Sequence, residues 1–487
     1  MSKILVRFSS IVITDYTMGN CPQLEKHFTL WDKIRHCTYT YGIYYDEDKK
    51  ELILPRGLDI YLLEKFFDTK AKYETKSDPF DRNVLEGVKI KYMPRDGQQN
   101  EALQFMTAKG QYHKLSTATG QLISLGTGKG KTYCSIVASV IHGYRTMVIT
   151  SSIEWLKQWN DCILEYCSNI NQKEIYTISG AHTIYRLLND NKIHQYKYFL
   201  VSDSTIRSYA DTYGWDKVAE LFKFLRIGLK IYDECHLHFE SMSKIDYFSN
   251  TYLTYYLSAT PMRSKPDENR VFQLYFKNIP KLNIFNPDED PHTDYISIKF
   301  NSKPSIEERN ECGSYKYGID RNKYINYITK NKNFYKLMKY IMRIIGNQKT
   351  LIFVGTQEGI DSVHEWIVNN YPQLGDEIGI YTSIIPKDLK AGMLDKQIIL
   401  STTKSAGTAK DIKGLKNTIV LAEPFKSEVL AKQTLGRTRD KDTRYIDVID
   451  IGFDQLKRYY SHKLKVYRKY ALSVKEVKVS QDELNSI

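Results

Sequence analysis

The chain has 487 residues, of which 70 are Lys or Arg and 57 are Asp or Glu, a formal charge of +13 that favours a polyanionic partner. With 42% hydrophobic and 13% aromatic residues, it is too apolar for an extended disordered chain. Its most apolar stretch, residues 132–144, includes His142 and stops at Arg145, short of the roughly 20 residues a helix needs to cross a bilayer. The first seven residues contain no signal-peptide core, and seven cysteines without a C-x-x-C pair argue against a disulfide framework or a zinc ribbon. The expectation is a chain with no membrane partner, kept in a cytoplasm.

At a soft prior of about 150 residues per domain, the length suits about three domains. Residues 1–90 read as a small α+β unit. Strands are expected over 4–8 and 10–14, two more over 37–45 and 51–54 around the charged turn Asp46-Glu-Asp-Lys-Lys50, and a helix over 58–67. From Met93 the pattern changes. Apolar runs at 122–125, 147–150, 198–202, 229–232 and 254–258 alternate with helical stretches, the signature of a parallel sheet under crossover helices. Residues 286–345, rich in Asn, Lys and Asp, are expected as a linker with a helix over 324–344. A second alternating series runs through 350–354, 379–381, 397–400, 418–421 and 445–449. The fold class expected is therefore α/β, two lobes at 91–285 and 346–455. Residues 456–487 form a basic tail, with Leu456, Tyr460, Leu464, Tyr467 and Ala471 on one helical face and Lys457, Arg458, Lys465, Arg468 and Lys469 on the other.

The strongest local signal is Ile123-Ser-Leu125 followed by Gly126-Thr-Gly-Lys-Gly-Lys-Thr132 and an apolar helix. A strand feeding a Gly-rich loop at a helix N-terminus lets the amides of Thr127, Gly128, Lys129 and Gly130 wrap a phosphate. Lys131 then reaches the β/γ oxygens, and the Thr132 hydroxyl can hold Mg²⁺. Leu125 stands where the full P-loop pattern has Gly, so the match is to its core. Downstream, the apolar run 229–232 delivers Asp233-Glu-Cys-His236. One carboxylate there can hold the water shell of Mg²⁺ while Glu234 orients and deprotonates an attacking water.

Asp233-Glu-Cys-His236 resembles the DExH box of superfamily 2 helicases, and other motifs of that superfamily stand in order around it. Pro94-Arg-Asp-Gly-Gln98 looks like the element that reads adenine, with Arg95 and Gln98. Val148-Ile-Thr-Ser-Ser152 leading to Gln158 is similar to motif Ia, which implies nucleic-acid contacts for Ser151, Ser152 and Gln158. Ser258-Ala-Thr260-Pro261 resembles motif III, so His236, Ser258 and Thr260 are implied to couple the ATP site to the strand. Ser405-Ala-Gly-Thr-Ala409 loosely resembles motif V, with Thr408 on nucleic acid. Gln433-Thr-Leu-Gly-Arg437 resembles motif VI. Arg437 is the implied arginine finger, and Arg439 falls one place early for the family's second arginine.

The resemblance implies two tandem RecA-like lobes with parallel sheets after a small N-terminal α+β domain, and ATP and Mg²⁺ as cofactors. The layout is most like bacteriophage helicases of the UvsW type, similar to the lobes of XPB and RecG. This implies a monomeric motor acting on branched or forked DNA in an infected bacterial host. A shortened chain starting near Leu85 is expected to remain a folded ATPase. RNA or transcript-release DExH helicases share the layout. A restriction-type helicase-nuclease is a further alternative, resting on Glu476-Val-Lys478 alone.

Overall fold

Parallel strands buried on both faces read as unbroken apolar runs, and the runs expected in each lobe become such strands. The computed structural model describes residues 2–486 except 33–34, 96, 109–119, 127–128, 191–192, 260, 264, 285–292, 315–317, 407–411 and 436–441. It divides into two units, Met1–Phe285 and Asn286–Ile487.

In the first unit, seven described strands form one all-parallel sheet. Their order is Ile175–Ile178, Tyr198–Ser202, Thr146–Thr150, Leu229–Tyr232, Leu253–Ser258, Gly120–Leu125 and Lys281–Ile284. The P-loop strand and the DExH strand thus flank Leu253–Ser258, and all three deliver their motifs at the same, C-terminal end. Ile175–Ile178 and Lys281–Ile284, not among the apolar runs expected as strands, lie at the two edges of this sheet.

The N-terminal residues form a five-stranded sheet ordered Tyr44–Asp46, Glu51–Pro55, Ser10–Thr14, Lys3–Val6 and Ala71–Tyr73, with a separate hairpin of Thr29–Asp32 and Cys37–Thr40. Helix Ile60–Phe67 is capped by Asp59, whose carboxylate accepts from the amides of Tyr61 and Leu62. This sheet shares one apolar core with the RecA-like sheet, in which Phe28, Tyr41, Ile43 and Leu54 belong with Phe239, Val271, Phe272 and Tyr275. Two glycines record how close the approach is. A Cβ on Gly57 would lie 2.2 Å from the Tyr275 carbonyl oxygen, and one on Gly42, at φ +75°, would lie 2.8 Å from Val271 Cγ1.

The second unit has its own seven-stranded parallel sheet, ordered Ile378–Tyr381, Ile398–Ser401, Thr350–Val354, Asn417–Ala422, Thr443–Asp450, Thr293–Phe300 and Ser473–Lys478. Two of these correct the sequence reading. The segment expected as a linker supplies Thr293–Phe300, and the expected tail supplies Ser473–Lys478. Polar side chains hid the first. Thr293 is matched by Thr443 (Oγ1 to Oγ1 2.9 Å) and Ser297 by Tyr460 (Oγ to Oη 3.2 Å). The second is an edge strand carrying charges, as edges commonly do.

The helix expected over 324–344 is two helices, Arg321–Ile328 and Lys332–Ile345, because Asn331 caps the second by accepting from the Phe334 amide. Helix Asp454–Tyr470 buries Leu456, Tyr460, Val466 and Tyr467 and exposes Lys457, Arg458, Lys465, Arg468 and Lys469. Lys463 departs from that division, being buried with its ammonium 2.7 Å from Asp447 Oδ2.

The shared core of the first unit bears on truncation. A chain starting near residue 85 would leave Phe239, Val271, Phe272 and Tyr275 without their N-terminal partners, and each large apolar side chain so exposed forfeits about 1.5–3 kcal/mol. Such a chain should aggregate or melt far below the intact protein in a thermal scan. Gly57→Ala should lower the melting temperature by overpacking at the same seam, at about 1–3 kcal/mol.

Candidate active site

Strand Gly120–Leu125 leads into the P-loop, and helix Lys131–His142 leaves it with Lys131 and Thr132 on its first turn. Gly130 sits at the helix N-cap at φ +91°, where a side chain would also strike Gln99, its Cβ lying 2.3 Å from Gln99 Nε2. Gln99 braces this loop. Its Nε2 donates to the Lys129 carbonyl (3.2 Å), while its Oε1 accepts from the Arg95 amide (2.8 Å). Gln98, the expected adenine reader, lies beside it on the first turn of helix Gly97–Thr107. Thr127 and Gly128 lie outside the described residues.

Strand Leu229–Tyr232 ends at Asp233, whose amide donates to the Ile149 carbonyl (2.9 Å). The Lys131 ammonium stands 3.4 Å from Glu234 Oε1, so the loop lysine and the DExH glutamate meet. Glu234 adopts φ +50°, and its Oε2 accepts from the Ala259 amide (3.4 Å). His236 Nδ1 lies 2.8 Å from Ser258 Oγ and 3.4 Å from Glu234 Oε2, bringing the DExH box and motif III together on one imidazole nitrogen. Thr260 lies outside the described residues.

Burial, with Glu234 beside it, pushes the Asp233 carboxyl above the usual carboxylate range. Burial works the same way on Glu234, but Lys131 and the Ala259 amide outweigh it and hold that carboxyl down. His236 is driven down to about 4, chiefly by burial, and is therefore neutral near pH 7. The 3.4 Å approach to Glu234 is thus a polar contact and not an ion pair.

Three residues here were absent from the sequence-derived site. Trp159 donates its indole Nε1–H to Asp233 Oδ2 at 2.8 Å; the sequence places it on an apolar helix face, and nothing in periodicity distinguishes an indole that packs from one that also donates. Gln99 is signalled only by standing next to Gln98. Arg263, two residues past Pro261, donates to the carbonyls of His236 and Leu237.

Of the expected nucleic-acid residues, Ser152 caps helix Ile153–Tyr166 by accepting from the Glu154 amide, Ser151 is half-buried beside it, and Gln158 is exposed on that helix. In the second unit, Gln433 is half-buried on helix Glu428–Leu435. Thr408, Arg437 and Arg439 lie outside the described residues.

Residues 91–263 match the family model described as type III restriction enzyme, res subunit. No curated protein matches the chain. Among solved structures, it is similar to a fragment of a putative HsdR subunit of a type I restriction enzyme from Vibrio vulnificus (15% identity, 98% of this chain, 79% of that chain, TM-score 0.53). It is also similar to S. cerevisiae Dbp5 bound to RNA and ADP BeF3 (12% identity, 80% and 91%, TM-score 0.51). A likeness to T4 UvsW covers 98% of this chain and 99% of that chain at 14% identity, with a TM-score of 0.35. The HsdR and Dbp5 structures agree with two tandem RecA-like lobes. Motif order, this fold and the family match over the first lobe define a superfamily 2 helicase, an ATP-dependent enzyme.

Burial makes Asp233 take up a proton above the ordinary carboxylate range, so any activity that needs its ionised form should fall on the acid side there. Trp159 hydrogen-bonds the ionised form and so opposes that rise. Trp159→Phe keeps the ring and removes the donor. The acid limb of its pH–rate profile should therefore move to higher pH, measured at fixed Mg²⁺; an unmoved limb would show that another group controls it.

Proposed function

We propose that this chain is an ATP-driven DNA motor that unwinds or remodels branched DNA, migrating forks and junctions in replication, recombination or repair. The observation that carries this reading is the N-terminal sheet, which shares a core with the DExH lobe. A nucleic-acid contact on that sheet would thereby be held rigidly to the ATPase site, which suits a branched substrate better than a tethered module would.

In this reading Lys131 binds the β/γ phosphates and Glu234, held ionised by Lys131, takes the proton of the attacking water. The switch in Lys131's partner, from Glu234 to phosphate, releases that carboxylate for its role as base. The donors offered by Thr132 and Asp233, a hydroxyl and a carboxylate, are hard oxygens of the kind Mg²⁺ takes, and they fit it. Bound there, Mg²⁺ supplies charge neutralisation on the transferred phosphoryl group. Arg95 and Gln98 hold the adenine, and Gln433 with Arg437 meets charge on the γ-phosphate, Arg439 being secondary. His236, Ser258 and Thr260 relay between nucleotide and strand; Ser151, Ser152, Gln158 and Thr408 grip the backbone. The +13 charge adds sequence-independent affinity that salt should weaken.

A nuclease reading would need Glu476 and Lys478 in a catalytic cluster. Glu476 instead lies on strand Ser473–Lys478, its Oε2 2.5 Å from the Lys299 ammonium and its Oε1 accepting from Tyr460 Oη at 2.7 Å.

Turnover measured with single-stranded, duplex, forked and four-way DNA and with RNA tests the proposal. Branched DNA should stimulate most, and stimulation by RNA alone would overturn it. Glu234→Gln should bind ATP but not turn it over, and Lys131→Ala should also lose turnover. A cleanly folded Glu234→Gln protein with normal hydrolysis would remove the DExH assignment.

A further inference from the structure

The turn that presents the DExH carboxylates is strained. Glu234 is left-handed at φ +50°, a conformation that costs a residue with a Cβ on the order of 1 kcal/mol or more. Such a conformation persists only where its surroundings over-determine it. The sheet holds the two neighbours of Glu234, through the Asp233 amide on the Ile149 carbonyl before it and the Cys235 amide on the Leu257 carbonyl after it (2.9 Å each). Downstream, between His236 and helix Phe239–Tyr247, the chain has no sheet to lean on.

There the Arg263 guanidinium takes over. Nη1 donates to the carbonyls of His236 and Leu237, the latter at 2.5 Å, while Nη2 donates to Glu268 Oε2 at 2.8 Å. A planar fork can serve two acceptors in one direction and a carboxylate in another, which an ammonium cannot do in fixed geometry. The aim has a cost, since the buried Nε finds no partner among the described residues.

Glu268 is itself only 7% exposed and stands on the first turn of helix Pro266–Tyr275, where Lys265 Nζ also reaches its Oε1 at 2.7 Å. The Tyr41 hydroxyl, from the N-terminal unit, approaches the same carboxylate at 3.4 Å. The Tyr41 ring packs 5.4 Å from that of Phe239, the first residue of the helix after the DExH turn. The chain just past the hairpin is tied to that helix as well, the Tyr247 hydroxyl donating to the Gly42 carbonyl (2.6 Å).

We propose that Arg263 is a positioning residue for the DExH turn, and that Glu268 and Tyr41 make its setting depend on the N-terminal unit. The inference rests on Glu234 being the catalytic base. Arg263 touches neither that carboxylate nor the P-loop lysine in the contacts above; it fixes the two peptide units that follow, and so the angle at which Glu234 leaves the strand. Misplacing a reacting group by about 1 Å can cost on the order of 100-fold in rate, so a loosened turn should affect the chemical step and leave ATP capture, which belongs to the P-loop, largely intact.

The test is steady-state ATP hydrolysis by the full chain with saturating single-stranded DNA, resolving kcat from KM, beside nucleotide affinity by fluorescence and a thermal melt. Arg263→Ala should lower kcat by about 10- to 100-fold, with KM for ATP and nucleotide affinity little changed. Arg263→Lys, able to reach a carbonyl but not to fork onto Glu268, should recover part of the loss. Glu268→Gln and Tyr41→Phe should each lower kcat by about three- to tenfold, the range a single hydrogen bond commands.

Wild-type kcat in Arg263→Ala overturns the proposal. So does a parallel loss of kcat, affinity and melting temperature that lysine does not relieve, which would make Arg263 a folding residue. Normal kcat in Tyr41→Phe beside a slow Arg263→Ala overturns the dependence on the N-terminal unit. Glu234→Gln in the same series separates the two readings: if it is active, the base assignment fails, and if it is inactive while Arg263→Ala is normal, only the positioning role fails.

Discussion

The architecture of the first unit turns on one buried carboxylate. Asp246 and Lys230 are fully buried and lie 2.5 Å apart, and burial pulls the Lys230 ammonium down while Asp246 opposes it. A buried pair of this kind is tolerable only when its remaining valences are filled. Three tyrosines fill them. Tyr232 donates to Asp246 Oδ1 at 3.0 Å, and Tyr256 and Tyr275 each donate to Oδ2 at 2.6 Å. These donors come from the DExH strand, from the strand that ends at Ser258, and from the helix against which Gly57 packs. One acceptor thus pins together the DExH strand, the motif III strand and the docking site of the N-terminal sheet, and the stacked rings of Tyr232 and Tyr256 (centroids 5.5 Å apart) keep the two strands in step.

That rigidity explains how a strained turn can be used. With both strands fixed up to Tyr232 and Ser258, and the Asp233 and Cys235 amides bonded to Ile149 and Leu257, the left-handed Glu234 is held between anchored neighbours, and its carboxylate meets Lys131, Ala259 and His236 within 3.4 Å. Burial raises Asp233, and Lys131 lowers Glu234, so two adjacent acids acquire opposite tendencies. Of the pair, Glu234 is the one kept ionised beside Lys131, and Asp233 the one burial inclines to hold a proton.

The parts of this arrangement legible in sequence are those dictated by period and spacing. Central strands such as Tyr198–Ser202 and Leu229–Tyr232 are apolar because both faces are covered, and the P-loop and DExH box are local strings. Strand Thr293–Phe300 was not legible, because its Thr293 and Ser297 are satisfied by Thr443 and Tyr460, residues 150 and more positions away. The same holds at the site. Lys131 and Glu234 follow from motifs, whereas Trp159, Gln99 and Arg263 owe their roles to approaches between segments that no local pattern encodes. The short reach of Gln99 onto Lys129 decides the P-loop's bracing, yet in sequence it is one glutamine beside another.

Composition concealed a related point. The 38 tyrosines carry no functional signal as a count, but several of them complete buried acids. In the second unit Asp447 repeats the arrangement of Asp246, with the Lys463 ammonium at 2.7 Å and Tyr295 Oη at 3.3 Å, while the Tyr295 ring stacks on Tyr467 at 4.0 Å. Lys463 comes from helix Asp454–Tyr470, so this pair fastens the C-terminal helix to its sheet as Asp246 fastens the strands and helix of the first unit. A phenol can supply both apolar bulk and a donor. Tyrosine therefore lets each unit bury an acid-lysine pair without leaving acceptors empty. The exposed cations of that helix, Lys457, Arg458, Lys465, Arg468 and Lys469, are then carried on a support fixed by a buried charge, which keeps a basic face in place.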